Sequence, residues 1–183
     1  MLGLGNSLAG GGGLGGPVAV VYRYISDFTS GLDGWADNQE FGHTLEYNQT
    51  APDSSTGWLK VTFDGSEVGN APGIKNVDAI NPTPDSGSLA FTCSLKIYLD
   101  SPATSGDLWT NDPMGLNVNV TGRGTFVSPK IDLESVQNIE FSSTTLAASA
   151  NRDDVIMTFT SGSDRPLAGA VMYIKDIEIV LTE

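Results

Sequence analysis

A single histidine, a single cysteine and 22 acidic side chains bound the chemistry open to this chain of 183 residues. His43 lies in the run FGHTLEY, and no motif ties a serine nucleophile to it. The Gly-x-Ser-x-Gly elbow that exposes such a serine is missing, so acyl transfer has no sequence support. His43 reads as a structural histidine, exposed or hydrogen-bonded. Cys93 falls at an apolar position of an alternating run, without a basic partner to make it a thiolate, and reads as a buried free thiol. Being alone, it excludes an internal disulfide. One His and one Cys do not make a transition-metal site. No pair among the carboxylates stands out for glycoside hydrolysis, and Asp153-Asp154 reads as turn chemistry. The residues therefore predict a protein that is not an enzyme.

The aromatic residues offer a different chemistry. Pyranose faces stack on rings, so a sugar site needs an aromatic platform with polar neighbours. Trp109, in a polar loop, is the best surface aromatic. Tyr98 lies on the outward side of the strongest strand, and Trp58 begins a strand. These three are the candidate glycan contacts, whereas Trp35, after Asp33-Gly34, is expected at the rim of the core.

The elements that must position these residues are strands. Hydrophobic residues make up 39% of the chain and charged residues 17%, with 22 Gly and 9 Pro, which points to short apolar runs between turns. Strands are predicted at 18–25, 41–48, 57–64, 89–99, 115–121, 124–128, 136–144, 154–160 and 170–183. In 89–99, Leu89, Phe91, Cys93, Leu95, Ile97 and Leu99 point one way and Ala90, Thr92, Ser94, Lys96 and Tyr98 the other. Strict period two over this length describes a half-buried antiparallel strand. In the last strand Val171, Tyr173, Ile177, Ile179 and Leu181 are expected on one face. Lys175 breaks that face and marks a bulge or a site. Residues 65–87, with Pro72, Pro82 and Pro84, read as loop, and 144–151 as one helical turn. The pattern predicts an all-β chain: an antiparallel β-sandwich of jelly-roll type over 17–183.

Residues 1–16 differ in kind. They hold eight glycines, four leucines and no charge. Such a segment builds no core of its own. It reads as an extended docking arm that a neighbouring protein would order, with Leu2, Leu4, Leu8 and Leu14 as the anchors. The N-terminus has no positive n-region and its apolar residues are interrupted by glycine, so synthesis without a signal peptide is expected. No run reaches membrane-spanning length, so no membrane partner is expected. The net charge of −13 repels phosphate backbones and excludes nucleic acid as the expected partner.

Two resemblances add to this reading. DFTSGLDGW (27–35), LKVTF (59–63), LAFTCSLKIYL (89–99), DDVIMTFTSG (153–162) and MYIKDIEIVL (172–181) recur in an order that resembles the jelly-roll carbohydrate-binding modules of the galactose-binding-like group. Those modules implies no catalysis, a bound glycan, and a structural Ca²⁺ between the opening segment and the last strand. The matching positions here are Asp27 and Asp176. Thr29 and Lys175 depart from the acidic residues usual in that group. Separately, MLGLGNSL resembles the N-termini of structural proteins of tailed bacteriophages. Together they imply a virion protein assembled in a host cytoplasm, foremost a capsid decoration (cement) protein that docks by its arm on other virion proteins and is itself a homo-oligomer. The alternative they leave open is a carbohydrate-binding module on a phage tail, neck or fibre that recognises host-surface glycan.

Overall fold

The structure, a computed structural model, describes residues 20–38, 43–64, 73–80, 89–100, 115–121, 124–146, 153–159 and 168–182. The arm with Leu2, Leu4, Leu8 and Leu14, and the loop tryptophan Trp109, lie outside the described residues.

Among the described residues eleven strands follow one another: β1 (Val20–Ser26), β2 (Trp35–Asp37), β3 (Thr44–Gln49), β4 (Trp58–Thr62), β5 (Gly73–Ile80), β6 (Leu89–Asp100), β7 (Gly115–Val120), β8 (Gly124–Lys130), β9 (Gln137–Leu146), β10 (Asp153–Phe159) and β11 (Val171–Thr182). They form two antiparallel sheets. The first has the order β3-β4-β11-β6-β9, with β1 also on β11; the second has the order β2-β5-β10-β7-β8. This is the expected all-β sandwich, open rather than closed into a barrel.

Alternation explains the packing. All six apolar positions of β6 from Leu89 to Leu99 are buried against the second sheet, where Ile74, Leu116, Val118, Val120, Val155 and Met157 face them. Shifting such a strand by one residue would carry its apolar set to solvent, so the register is firmly set. Burying each large apolar side chain stabilises the fold by roughly 1.5–3 kcal/mol. Cys93 is part of this core, and burial pushes its thiol up to about 12, which keeps it from acting as a thiolate.

Four expectations change. Residues 65–87 are not all loop, because β5 occupies Gly73–Ile80. Pro72 and Pro82 flank that strand rather than interrupt it, which is where strand prolines belong. Gly73 is needed there: a Cβ would stand 1.9 Å from the Met157 carbonyl oxygen. Residues 144–146 continue β9 rather than turning into helix. Trp35 sits in the core itself, not at its rim, at 1% exposure.

The fourth change concerns β11. Its first residues, Val171–Ile174, pair with β4, and its later residues, Ile177–Thr182, pair with β1 along the same edge. The pairing with β6 shifts between Lys175 and Glu178, and Asp176 adopts a positive φ of 52°. This bulge inserts an extra residue and exchanges the faces. Met172 and Ile174 point inward before it, Ile177, Ile179 and Leu181 after it. Val171 and Tyr173 are therefore on the outward face, opposite the three residues they were expected to accompany. The Lys175 break in the pattern was the mark of this exchange.

His43 is buried, so it is not the exposed residue that was one of the two expectations. Its side chain lies 3.8 Å from Asp37 and 3.6 Å from Asp64, with its ring edge-on to Phe63 at 4.8 Å. Burial lowers its pKa, and the two carboxylates oppose that shift without cancelling it. The unfolded chain therefore takes up a proton first as pH falls from about 6.5. Stability carried by neutral His43 is present above that pH and is lost on acidification toward the lower folded pKa. A melting temperature measured at pH 7.5 and 5.5 is expected to fall in the wild type and to stay level in His43→Gln. An unchanged wild-type melting temperature over that interval would count against this account.

Candidate functional site

The sandwich presents two outward sheet faces, and their side chains differ in kind. On the first sheet, cross-strand pairing lines up Glu46, Lys60, Tyr173 and Tyr98 in one row. The next rows are Lys175, Lys96 and Asn138, then Ile25, Glu178, Ser94 and Glu140. Ion pairs cross this face: Lys60 to Glu46 at 3.2 Å, Lys96 to Asp176 at 2.8 Å, and Arg23 to Glu178 at 2.7 Å.

Trp58, Tyr98 and Tyr173 form a small aromatic cluster on this same face, with Ala51 and Val171. It is a packed cluster and not an open platform. Trp58 is 1% exposed and Tyr98 8%. The indole N–H of Trp58 donates to Ser55 Oγ at 2.6 Å. The Lys175 ammonium stands 5.3 Å from the Trp58 ring centre and donates to the Thr56 carbonyl at 3.0 Å. Trp58 thus fastens the segment 51–57 onto the sheet. Tyr98 and Tyr173 meet edge to face at 6.1 Å. Burial raises both phenol pKa values, with nearby carboxylates adding to the shift and Lys60 opposing it at Tyr173, so both hydroxyls stay protonated and can donate.

The second sheet carries amides and hydroxyls. Lys75, Ile156, Asn119 and Thr125 form one outward row, and Thr158, Asn117 and Val127 the next. Lys75 is the one charged side chain in these rows. Asn119 Nδ2 donates to Thr125 Oγ1 at 2.7 Å. Asn117 Oδ1 is buried without a hydrogen-bond partner. A buried acceptor left unpaired costs roughly 1–3 kcal/mol. Neither Asn117 nor Asn119 is among the residues expected to contact a glycan. The signal was there in LNVNV (116–120), where apolar residues alternate with asparagine.

Asp27 and Asp176, the pair implied for Ca²⁺, each have protein donors. The Asp27 carboxylate accepts from the Thr29 N–H at 3.0 Å and the Thr29 hydroxyl at 2.8 Å, which lowers its pKa. Asp176 accepts from Lys96. Among the described residues no group of three or more His, Cys, Asp or Glu side chains is placed to hold a metal ion. Hard cations need several oxygen ligands at once, and this pair does not supply them by itself.

The backbone behind these positions is held by the opening segment. Asp33 Oδ2 accepts from Ser26 Oγ at 2.7 Å and from the Phe28 N–H at 3.1 Å. The Asp33 carbonyl accepts from the Tyr24 hydroxyl at 2.6 Å and from Asn76 Nδ2 at 2.9 Å. This network holds Phe28 at a φ of 54°, a conformation that bulky residues avoid.

No protein-family model matches the chain, and no curated protein matches it. Solved structures do. An arabinose-bound α-L-arabinofuranosidase superposes with a TM-score of 0.59 at 12% identity, over 91% of this chain and 27% of that one. The CBM22-1 and GH10 modules of Clostridium thermocellum endo-1,4-β-D-xylanase 10B, complexed with xylohexaose, give 0.52 at 12% identity, over 88% of this chain and 28% of that one. The CBM22-2 xylan-binding domain of Paenibacillus barcinonensis gives 0.52 at 16% identity, over 86% of this chain and 98% of that one. The chain thus spans about a quarter of two of these and nearly all of the third. These similar structures are carbohydrate-binding modules and carbohydrate-acting enzymes, not viral proteins, which corrects the expectation of a bacteriophage virion or capsid decoration protein. What the chain shares with them is the fold: it is an open, all-β antiparallel sandwich resembling that of carbohydrate-binding modules.

Proposed function

We propose that this chain is a non-catalytic polysaccharide-binding module that holds a neutral glycan on the outward face of the second sheet. The observation that carries this reading is the contrast between the two faces. Three ion pairs cross the first sheet's outward face. The second sheet's outward rows offer the side-chain amides of Asn117 and Asn119, which donate and accept at once as glycan hydroxyls do. The fold likeness supports the reading, since similar modules are described with xylohexaose or as xylan-binding.

Affinity gel electrophoresis with soluble xylan and with a mixed-linkage glucan tests it. Retardation by at least one neutral polysaccharide is expected, with no release of reducing ends. Asn117→Ala and Asn119→Ala should each weaken binding about 5-fold, the effect of a lost hydrogen bond worth about 1 kcal/mol. Migration unaffected by any neutral polysaccharide would overturn the reading, and so would a double variant that binds like the wild type.

A further inference from the structure

The geometry points to a second saccharide-binding site, on the opposite face of the sandwich from the first. It rests on the glycan-binding reading above for its ligand class, and on separate observations for its place. A depression of about 330 Å³ lies on the outward face of the first sheet over β6, β9 and β11. That volume is at the lower end of small-ligand pockets and suits one or two sugar rings rather than a long chain segment. Its side-chain walls are Ser94, Lys96, Asn138, Glu140, Asp176 and Glu178.

The bulge in β11 helps shape this depression. β4 leaves β11 at Ile174 and β1 joins it at Ile177, so the bulged residues Lys175 and Asp176 lie between the two partner strands. Asp176, with its positive φ, turns its carboxylate across to Lys96. A non-glycine residue held in that conformation is a cost the fold carries, and such positions concentrate at functional sites. Bulges likewise re-aim side chains beside binding sites.

The lining chemistry selects the ligand. Lys96 is held by Asp176 and Glu178 by Arg23, yet each keeps further donor or acceptor positions; with Asn138, Ser94 and Glu140 the lining both donates and accepts. A ligand must therefore donate and accept at several closely spaced points, as the hydroxyls of a pyranose do. Three carboxylates against Lys96 and the Arg23 that pairs with Glu178 leave the lining net acidic, which disfavours a uronic acid or a sulfated sugar. A neutral oligosaccharide end is the ligand that meets all of these conditions. With a glycan on each face, one module could bridge two polysaccharide chains and gain avidity without further contacts.

Amide chemical-shift mapping of the whole chain during titration with xylohexaose tests the inference. Two separate sets of shifts are expected, one at Asn117 and Asn119 and one at Ser94, Lys96, Asn138 and Glu140. The exposed double substitution Asn138→Ala with Glu140→Gln should weaken the second set at least 10-fold and leave the first unchanged. Asn117→Ala should do the reverse. Shifts confined to the second sheet would overturn the second site and leave the proposed function standing. Groove shifts that the double substitution does not alter would also overturn it. No shifts on either face would overturn both readings for this glycan.

Discussion

Trp58→Ala is expected to destabilise the protein by about 3–5 kcal/mol, the cost of removing a large aromatic side chain from a packed site. The ring is 1% exposed and underlies Tyr98, Tyr173 and Ala51. Its loss also frees Ser55 from the indole N–H and removes the ring beneath Lys175. The cation–ring contact contributes about 0.5–1 kcal/mol of that total at a partly exposed site. Chemical denaturation and thermal melting give the measurement. At roughly 2–4 °C per kcal/mol for a domain of this size, the melting temperature should drop by about 10 °C. Glycan affinity at the second sheet should persist below the new transition. A variant that keeps its stability but loses glycan binding would make Trp58 a ligand platform, and this account would fail.

Asp33→Ala should cost about 3 kcal/mol. Two hydrogen bonds to its carboxylate are lost, and hydrogen bonds to charged groups are each worth about 1.5–3 kcal/mol. Part of that loss is returned because the donors can find water. Asp33 also has a φ of 51°, a conformation that Asp and Asn tolerate better than Ala, adding roughly 1 kcal/mol to the cost. Asp33→Asn keeps the conformation and an acceptor, so it should cost only about 1 kcal/mol by the same hydrogen-bond scale. The difference between the two variants measures what the carboxylate does for Ser26 and Phe28. Phe28 N–H reaches Asp33 on one side, and the Phe28 carbonyl accepts from the Asn48 N–H at 2.9 Å on the other. Equal stability of Asp33→Ala and the wild type would show that Phe28 keeps its conformation without this network.

Most strands were legible because one face of each is buried. The alternation in β6 and in Leu59, Val61 and Phe63 translates directly into inward and outward positions. β5 was hidden for a local reason: prolines near both ends made a strand look like part of a loop. The outward pairing of Asn117 and Asn119 was legible in the alternation of β7, but nothing local distinguishes a ligand face from a solvated one. The packing of Trp58 and Tyr98 was not legible for a related reason. Tyr98 does point outward, yet segment 51–57 and Tyr173 cover much of it, and those contacts come from residues distant in sequence.

By itself the sequence determined the all-β class, the inward set of the long strands and the buried state of Cys93. These follow from period-two burial, which acts between neighbouring residues. The tertiary structure alone decided where the faces of β11 exchange, because a bulge depends on which strands pair on either side of it. It alone placed Lys175 over Trp58, buried His43 between two aspartates, and separated an ion-paired face from an amide face. Each of these arises when strands far apart in the chain become neighbours, and no local pattern encodes which strands those will be.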